Sequence, residues 1–251
     1  MRPLQIFIGY DTHEPLAFHV LSHSILSRAS GPVSIIPLAL GTLKGVYTRE
    51  RGPLESTEFS LTRFLVPYLS NYDGLSIYMD CDMLCLADIY DLTYLCSPDK
   101  SVWLCKHDYI PRTTKKMDNQ LQTTYPRKNW SSLMVFNTNK CEILTPEYIN
   151  TALALDLHRF AWVQTRDIGS LPLEWNWLVG EYRYDPSYDV PWCAQVGGVD
   201  YFTAKPRKIF HYTLGGPWFR DYQGCDHAKE WFQELDLAFP SLNVRDTAQV
   251  E

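Results

Sequence analysis

The feature that most constrains this chain is the alternation of short apolar runs with helical patterns over its first 110 residues. LQIFIGY (4–10) reads as a buried strand that breaks at Gly9 into a polar loop, Asp11 to Glu14. A helical pattern follows from Pro15 to about Ser27, with apolar positions at Leu16, Val20, Leu21 and Ile25. VSIIPL (33–38) is a second strand, Phe59 to Leu69 a second helical stretch, and LSIYM (75–79) a third strand. SVWLCK (101–106), SLMVFNT (132–138) and KIFHY (208–212) are further strand candidates, and Pro146 to Leu157 a further helix. Strand–helix–strand units cross over with a right hand and build a mainly parallel sheet, so the expected class is α/β.

In such sheets ligands sit beyond the carboxyl ends of the strands. That rule lines up Gly9-Tyr10-Asp11, Asp80-Cys81-Asp82 and Lys106-His107-Asp108 along one edge. The central stretch is SIYMDCDMLCLADI (76–89), where an apolar strand ends in two aspartates one residue apart. Two carboxylates this close repel, so one takes up a proton or a cation binds between them. Hard oxygen ligands suit Mg²⁺ or Mn²⁺, completed by water and phosphate oxygens; a solvated turn is the competing reading. His211, at the end of KIFH, is by residue type more often structural than ligating. Gly215-Gly216 after it lets backbone approach a ligand closely. Arg63 suits either a surface ion pair or a phosphate contact, and Lys106 and His107 carry the same two options. Asn129-Trp130-Ser131-Ser132 and the Trp-Asn pairing in LPLEWNW (171–177) suit sugar contacts and core packing equally.

Composition narrows the function class. With 251 residues the chain can bury a full core, and its 45% hydrophobic and 21% charged content is that of a globular protein. A net charge of −6 does not indicate a nucleic-acid surface. Aromatics reach 14%, including 8 Trp, which hints at sugar-facing surfaces although packing can absorb most of them. The seven cysteines are scattered, without a CxxC pair, and read as buried free thiols. No apolar stretch is long enough to span a bilayer and no secretory leader pattern opens the chain, so a cytoplasmic protein is expected. Residues 41–55 read as a mobile loop, and a loop of about 25 residues with Lys115–Lys116 and Arg127–Lys128 precedes the strand at 132.

IFIGYD, TRF, YMDCDML, NWSSLMVFN, LPLEWN and HYTLGGPW form an ordered set across residues 4 to 219. The set resembles the metal-dependent retaining glycosyltransferases of the GT-A fold, specifically family 8. The resemblance implies a single GT-A, Rossmann-like domain over residues 1–240, with a nucleotide-sugar-binding half (1–110), an acceptor-side half (111–240) and a polar tail (241–251). It implies transfer of a hexose from a nucleotide-sugar, UDP-linked by expectation, to a hydroxyl of a glycan, glycolipid or other acceptor, without nucleic acid as a partner. It implies Asp80, Asp82 and His211 as ligands of Mn²⁺ or Mg²⁺. Gly9, Tyr10 and Asp11 fall where the family holds base and ribose; Arg63 and Cys81 fall near the donor, Gly216 and Trp218 where the diphosphate lies. Asn129 and Ser131 match the segment facing the donor sugar and are expected to be catalytic with Asp167, which is the nearest match to the family's D-Q-D stretch and the nearest candidate for a nucleophile. The family's Lys before Pro-Trp is Gly216 here, so phosphate charge is expected to be met elsewhere, with Lys106, Lys205 and Lys208 as candidates. Two other readings compete: a Mg²⁺-dependent phosphohydrolase of the haloacid dehalogenase type, and an inactive nucleotide-sugar-binding module.

Overall fold

The computed structural model describes residues 2–52, 55, 57–108, 115–116, 120–121, 127–182, 193–196, 199–202 and 207–241. The strands are β1 (Leu4–Gly9), β2 (Val33–Leu38), β3 (Leu75–Met79), β4 (Met83–Cys85), β5 (Val102–Cys105), β6 (Lys115–Lys116), β7 (Gln120–Leu121), β8 (Leu133–Asn137), β9 (Ile168–Leu171), β10 (Trp177–Leu178), β11 (Cys193–Val196), β12 (Val199–Phe202) and β13 (Ile209–His211). The helices are α1 (Pro15–Leu26), α2 (Val66–Leu69), α3 (Asp91–Tyr94), α4 (Pro146–Thr151), α5 (Ala154–His158) and α6 (Ala228–Ala238). Among the described residues no helix is long and apolar enough to cross a membrane.

The main sheet runs β2-β1-β3-β8-β5-β9. β1 pairs in parallel with β2 and β3, β5 pairs in parallel with β9, and only β8 runs against its neighbours. The chain is therefore a mixed α/β domain with a mainly parallel central sheet. β1, β3 and β5 point the same way, because the antiparallel β8 lies between β3 and β5. Their apolar runs are long because both faces are covered, whereas β2, at the edge, tolerates Pro37. α1 opens on Pro15, which costs nothing at a first helical turn, and buries Ala17, Val20, Leu21 and Ile25 on one stripe. Each of its larger buried side chains contributes about 1.5–3 kcal/mol.

Two expected helices are divided. The stretch 59–69 forms tight 3₁₀ turns over Thr62–Leu65 and then α2, since Pro67 has no N–H to give the Arg63 carbonyl. The 146–157 stretch breaks where Ala152 and Leu153 turn extended, giving α4 and α5. Arg49 caps that break by donating to the carbonyls of Ile149 and Ala152 (3.1 and 2.5 Å), and Thr48 N–H bonds Asn150 Oδ1 at 2.9 Å. Residues 48–49 are thus tied to α4, where the sequence suggested a mobile loop. α6 was not foreseen; its Ala228, Trp231 and Leu235 are spaced to bury one face. Within the long basic loop β6 and β7 pair as a short hairpin, and the polar tail from 242 lies outside the described residues.

Candidate active site

Strand direction assembles the site. β3 ends at Met79 and delivers Asp80 to the carboxyl edge of the sheet. β8 runs antiparallel to β3 with Leu133 opposite Met79, so the Asn129–Ser132 segment before it arrives at the same edge. Asp80 N–H bonds the Ser132 carbonyl there at 2.9 Å. After Asp82 the chain enters β4, whose Met83 faces His211 across the antiparallel β4–β13 pair. Tyr212 N–H bonds the Asp82 carbonyl at 2.8 Å, and the His211 imidazole is carried to Asp82, with Nε2 3.3 Å from Oδ1.

Asp80, Asp82 and His211 therefore converge across 131 residues of sequence, each offering one ligand atom within 4.8 Å of the others. All three are at most 9% exposed. Arg63 lies 3.0 Å from Asp80 Oδ1 and is held by the Phe59 and Ser131 carbonyls at 3.4 and 2.9 Å. The Tyr78 hydroxyl donates to Asp80 Oδ1 at 2.6 Å. Burial, followed by the Asp82 charge, pushes the Asp80 carboxyl above its ordinary range despite Arg63. Asn176, fully buried, donates through Nδ2 to Ser132 Oγ (2.8 Å), and its Oδ1 meets His211 Nδ1 at 2.9 Å. That contact leaves Nε2 as the imidazole atom turned to Asp82. LPLEWN thus serves the site through its asparagine, while Trp175 and Trp177 are core.

Arg63, Asp80, Asp82, Ser132 and His211 line a cavity of about 350 Å³. Asn129 and Ser131 are on its wall, Asn129 bonding Thr213 Oγ1 at 3.1 Å. Arg49, Glu55 and His158 also line it and carried no motif by which the sequence singles them out. No tryptophan lines it, so the aromatic richness serves packing among the described residues.

Other expected residues are engaged with the protein's own groups. Gly9 is covered by Phe59: a Cβ there would sit 2.4 Å from the ring. Tyr10 packs edge-on against Phe18 at 5.4 Å. Asp11 accepts the N–H of His13 (2.9 Å) and of Glu58 (3.0 Å), bracing the loop beside the site. Cys81 is fully buried, and burial raises its thiol well above the ordinary value. Gly216 rests on the Trp218 ring, 2.0 Å from where a Cβ would be, and Trp218 Nε1 donates to Glu14 at 3.1 Å. Lys106 donates to the Ile168 carbonyl at 3.0 Å, Lys208 pairs with Asp91 at 3.1 Å, and Lys205 lies outside the described residues. Charge at the cavity comes instead from Arg49 and Arg63.

Asp167 is a correction. Ser101, just before β5, bonds the Asp167 carbonyl at 2.9 Å, which puts Asp167 at the amino ends of β5 and β9. Because β5 runs parallel to β3, that edge is the one opposite Asp80. A short QTRD match cannot reveal strand direction, and the direction here places this carboxylate at the sheet edge away from Asp80.

The chain is 45% identical over 242 residues to Protein CDI of Arabidopsis thaliana, an alignment covering 94% of this chain and 87% of that protein. The chain belongs to the family of Protein CDI. No protein-family model matches the sequence. Among solved structures it is similar to the bifunctional glycosyltransferase WbbM in its apo form (16% identity, TM-score 0.62, 93% of this chain and 49% of that one). It is also similar to apo glycosyltransferase GlyE of Streptococcus pneumoniae TIGR4 (12%, TM-score 0.58, 98% and 64%). The third is galactosyltransferase LgtC in complex with donor and acceptor sugar analogues (12%, TM-score 0.56, 97% and 99%). The chain spans about half of the WbbM chain and under two thirds of the GlyE chain, and nearly all of LgtC. The fold that this Protein CDI relative shares with these enzymes is the GT-A glycosyltransferase fold.

Proposed function

We propose that the chain is a glycosyltransferase that moves a hexose from a nucleotide-sugar, UDP-linked, to an acceptor hydroxyl with retention at the anomeric carbon. The observation that carries this reading is the meeting of Asp80, Asp82 and His211 in the cavity at the carboxyl edge of a GT-A sheet. Two carboxylate oxygens and one imidazole nitrogen, all buried and mutually close, fit a divalent cation of the Mn²⁺ or Mg²⁺ type. When bound, such an ion supplies positive charge against a departing diphosphate.

The chain's own groups do the rest. Arg63 and Tyr78 fix Asp80, and Asn176 fixes the His211 ring, so the ligand set is oriented before the donor arrives. Arg63 adds a fixed guanidinium beside the site and does not have to be recruited from solvent. Asn129, Ser131 and His158 line the cavity in which the sugar would lie. The six described free thiols fit a reducing compartment such as the cytoplasm.

The test is a thermal-shift screen of UDP-hexoses with and without Mn²⁺, followed by UDP release without acceptor. At a ligand concentration 100-fold above Kd, stabilisation of about 2.7 kcal/mol is expected, roughly 5–10 °C for a chain of this size. Asp82→Asn should lose the Mn²⁺-dependent part of that shift, and an unchanged shift removes the aspartates from the metal site. Stabilisation without UDP release would leave the binding module in place of the enzyme. Release of inorganic phosphate from simple phosphate esters would favour the phosphohydrolase.

A further inference from the structure

The loop that follows β2 reaches the cavity wall with Arg49, Gly52 and Glu55. Two parts of it are fixed. At 46–49, Asn150 Oδ1 accepts the Thr48 N–H and its Nδ2 donates to the Val46 carbonyl, each at 2.9 Å, while Arg49 donates to the Ile149 and Ala152 carbonyls. At 51–55, Glu55 Oε1 accepts the Gly52 N–H at 3.1 Å, and the Glu55 carbonyl accepts from the Arg51 guanidinium at 3.1 and 3.2 Å. One guanidinium and one carboxylate from the same loop are thus held on one wall.

Both charges act on one neighbour. Burial and then the Glu55 carboxylate push the half-buried Tyr47 phenol up to about 12, and Arg49 works against them. Yet among the described residues the hydrogen bonds of both side chains go to backbone groups. In this they differ from Arg63 and Asp80, which are joined at 3.0 Å beside the proposed metal ligands. The carbonyl bonds of Arg49 use one terminal nitrogen of its fork, and the Gly52 N–H takes only part of what the Glu55 carboxylate can accept.

A ligand at this wall meets donors and acceptors together. An anionic group is drawn to Arg49 and repelled by Glu55, and an amine is drawn to Glu55 and repelled by Arg49. A sugar hydroxyl carries no charge, donates and accepts, and suits both. Resting on the transferase reading above, we propose that Arg49 and Glu55 are a specificity-determining pair that bonds the hydroxyls of an uncharged sugar ring. The guanidinium donates to hydroxyl oxygens and the carboxylate accepts hydroxyl protons. The ring belongs either to the transferred sugar or to the acceptor, and the experiment separates the two.

The experiment varies the charge of the sugar and measures UDP release with Mn²⁺. The donor series is UDP-glucose and UDP-galactose with the uronic acid and 2-amino form of each, without acceptor. The acceptor series is the methyl glycosides of the same sugars, added to the better neutral donor. Wild type, Glu55→Gln and Arg49→Gln are compared. In one series the wild type is expected to favour the neutral sugar over both charged forms by about 10-fold or more in kcat/KM. Glu55→Gln should raise the uronic acid relative to the neutral sugar about 10-fold, and Arg49→Gln should raise the amino sugar instead. A response in the donor series assigns the pair to the transferred sugar, and one in the acceptor series assigns it to the acceptor. Arg49→Gln also disturbs the break between α4 and α5, so Glu55→Gln, which keeps an oxygen for the Gly52 N–H, decides alone if the other variant does not fold. A wild type that favours a uronic acid or an amino sugar, or a Glu55→Gln with the wild-type charge preference in both series, overturns the assignment. A wild type that releases UDP from no donor and gains no Mn²⁺-dependent stabilisation from any of them overturns the transferase reading instead.

Discussion

Two buried carboxylates in this molecule face the same kind of partners and end in opposite states. Glu234 on α6 bonds Arg28 at 2.7 Å and His23 Nδ1 at 2.6 Å, both from the α1 side of the seam. Burial works against its charge, yet the bonds from Arg28 and His23 outweigh it and hold the carboxyl below its ordinary value. Asp80 also has an arginine within 3.0 Å and a histidine nearby, and its carboxyl is held above the ordinary value. Stronger desolvation of Asp80 separates them first, and the neighbouring Asp82 charge second. In the seam one guanidinium answers one carboxylate; at the sheet edge one guanidinium stands against two. Among the described residues the seam matches its carboxylate with an arginine and a histidine, whereas the edge sets two carboxylates beside one arginine, an arrangement that suits a divalent cation.

The largest effect that would sharpen this contrast is at Asn176. If it orients His211, Asn176→Ala should weaken Mn²⁺ binding about 10- to 100-fold, read as a displaced Mn²⁺ titration of thermal stability; an unmoved titration would make the asparagine a core residue only. Glu234→Gln should act on the fold and leave Mn²⁺ affinity alone. Loss of a partly exposed buried pair costs about 1–2 kcal/mol after allowing for screening, or a few degrees in Tm. Its pH dependence has a fixed sign. A carboxyl whose folded pKa is depressed contributes stability above its unfolded pKa, near 4.3, and loses it as pH falls through the folded value. The Tm gap between wild type and Glu234→Gln should thus be full at neutral pH and close below about pH 4. A gap that persists unchanged in strong acid would mean packing, rather than charge, joins α1 to α6.

The smallest effect belongs to a third acid–histidine group. Asp11, His13 and Glu58 also bring ligand atoms within 4.8 Å, but His13 is exposed, and Asp11 is already bonded by two backbone N–H groups. The Asp11 bond raises the His13 pKa. His13→Ala should change stability by less than about 0.5 kcal/mol and leave the Mn²⁺ titration where it was. A lost metal response would mean that residue types in proximity suffice, which the sheet edge argues against.

The sequence made the sheet legible through LQIFIG and LSIYM, whose apolar runs demand burial on both faces, and the site's acids through the abrupt stop at Asp80. His211 was readable as a ligand through the family resemblance, since a histidine at a strand end is by residue type more often structural. What stayed hidden depends on pairings between distant segments. Asp167 looked well placed in a short match, but strand direction carried it to the opposite edge. His158 has no motif, since its position comes from a helix break capped by Arg49 and from a bond to Ser131. Asn176 was visible in LPLEWN, while its contact with His211 needed the β10–β13 pair, where Leu178 faces His211. α6 lacks the usual start signal, since its N-cap His227 makes no side-chain cap bond and sits in the left-handed region at φ 62°.

Gly9 bears on how such a protein can change over time. Phe59 occupies the space its missing side chain leaves, and Phe59 gives its carbonyl to Arg63. Any larger residue at position 9 would displace the ring and, through it, the guanidinium beside Asp80. Positions 9 and 59 are therefore not independent in descent: a lineage that acquires alanine at position 9 is expected to carry a smaller residue at position 59.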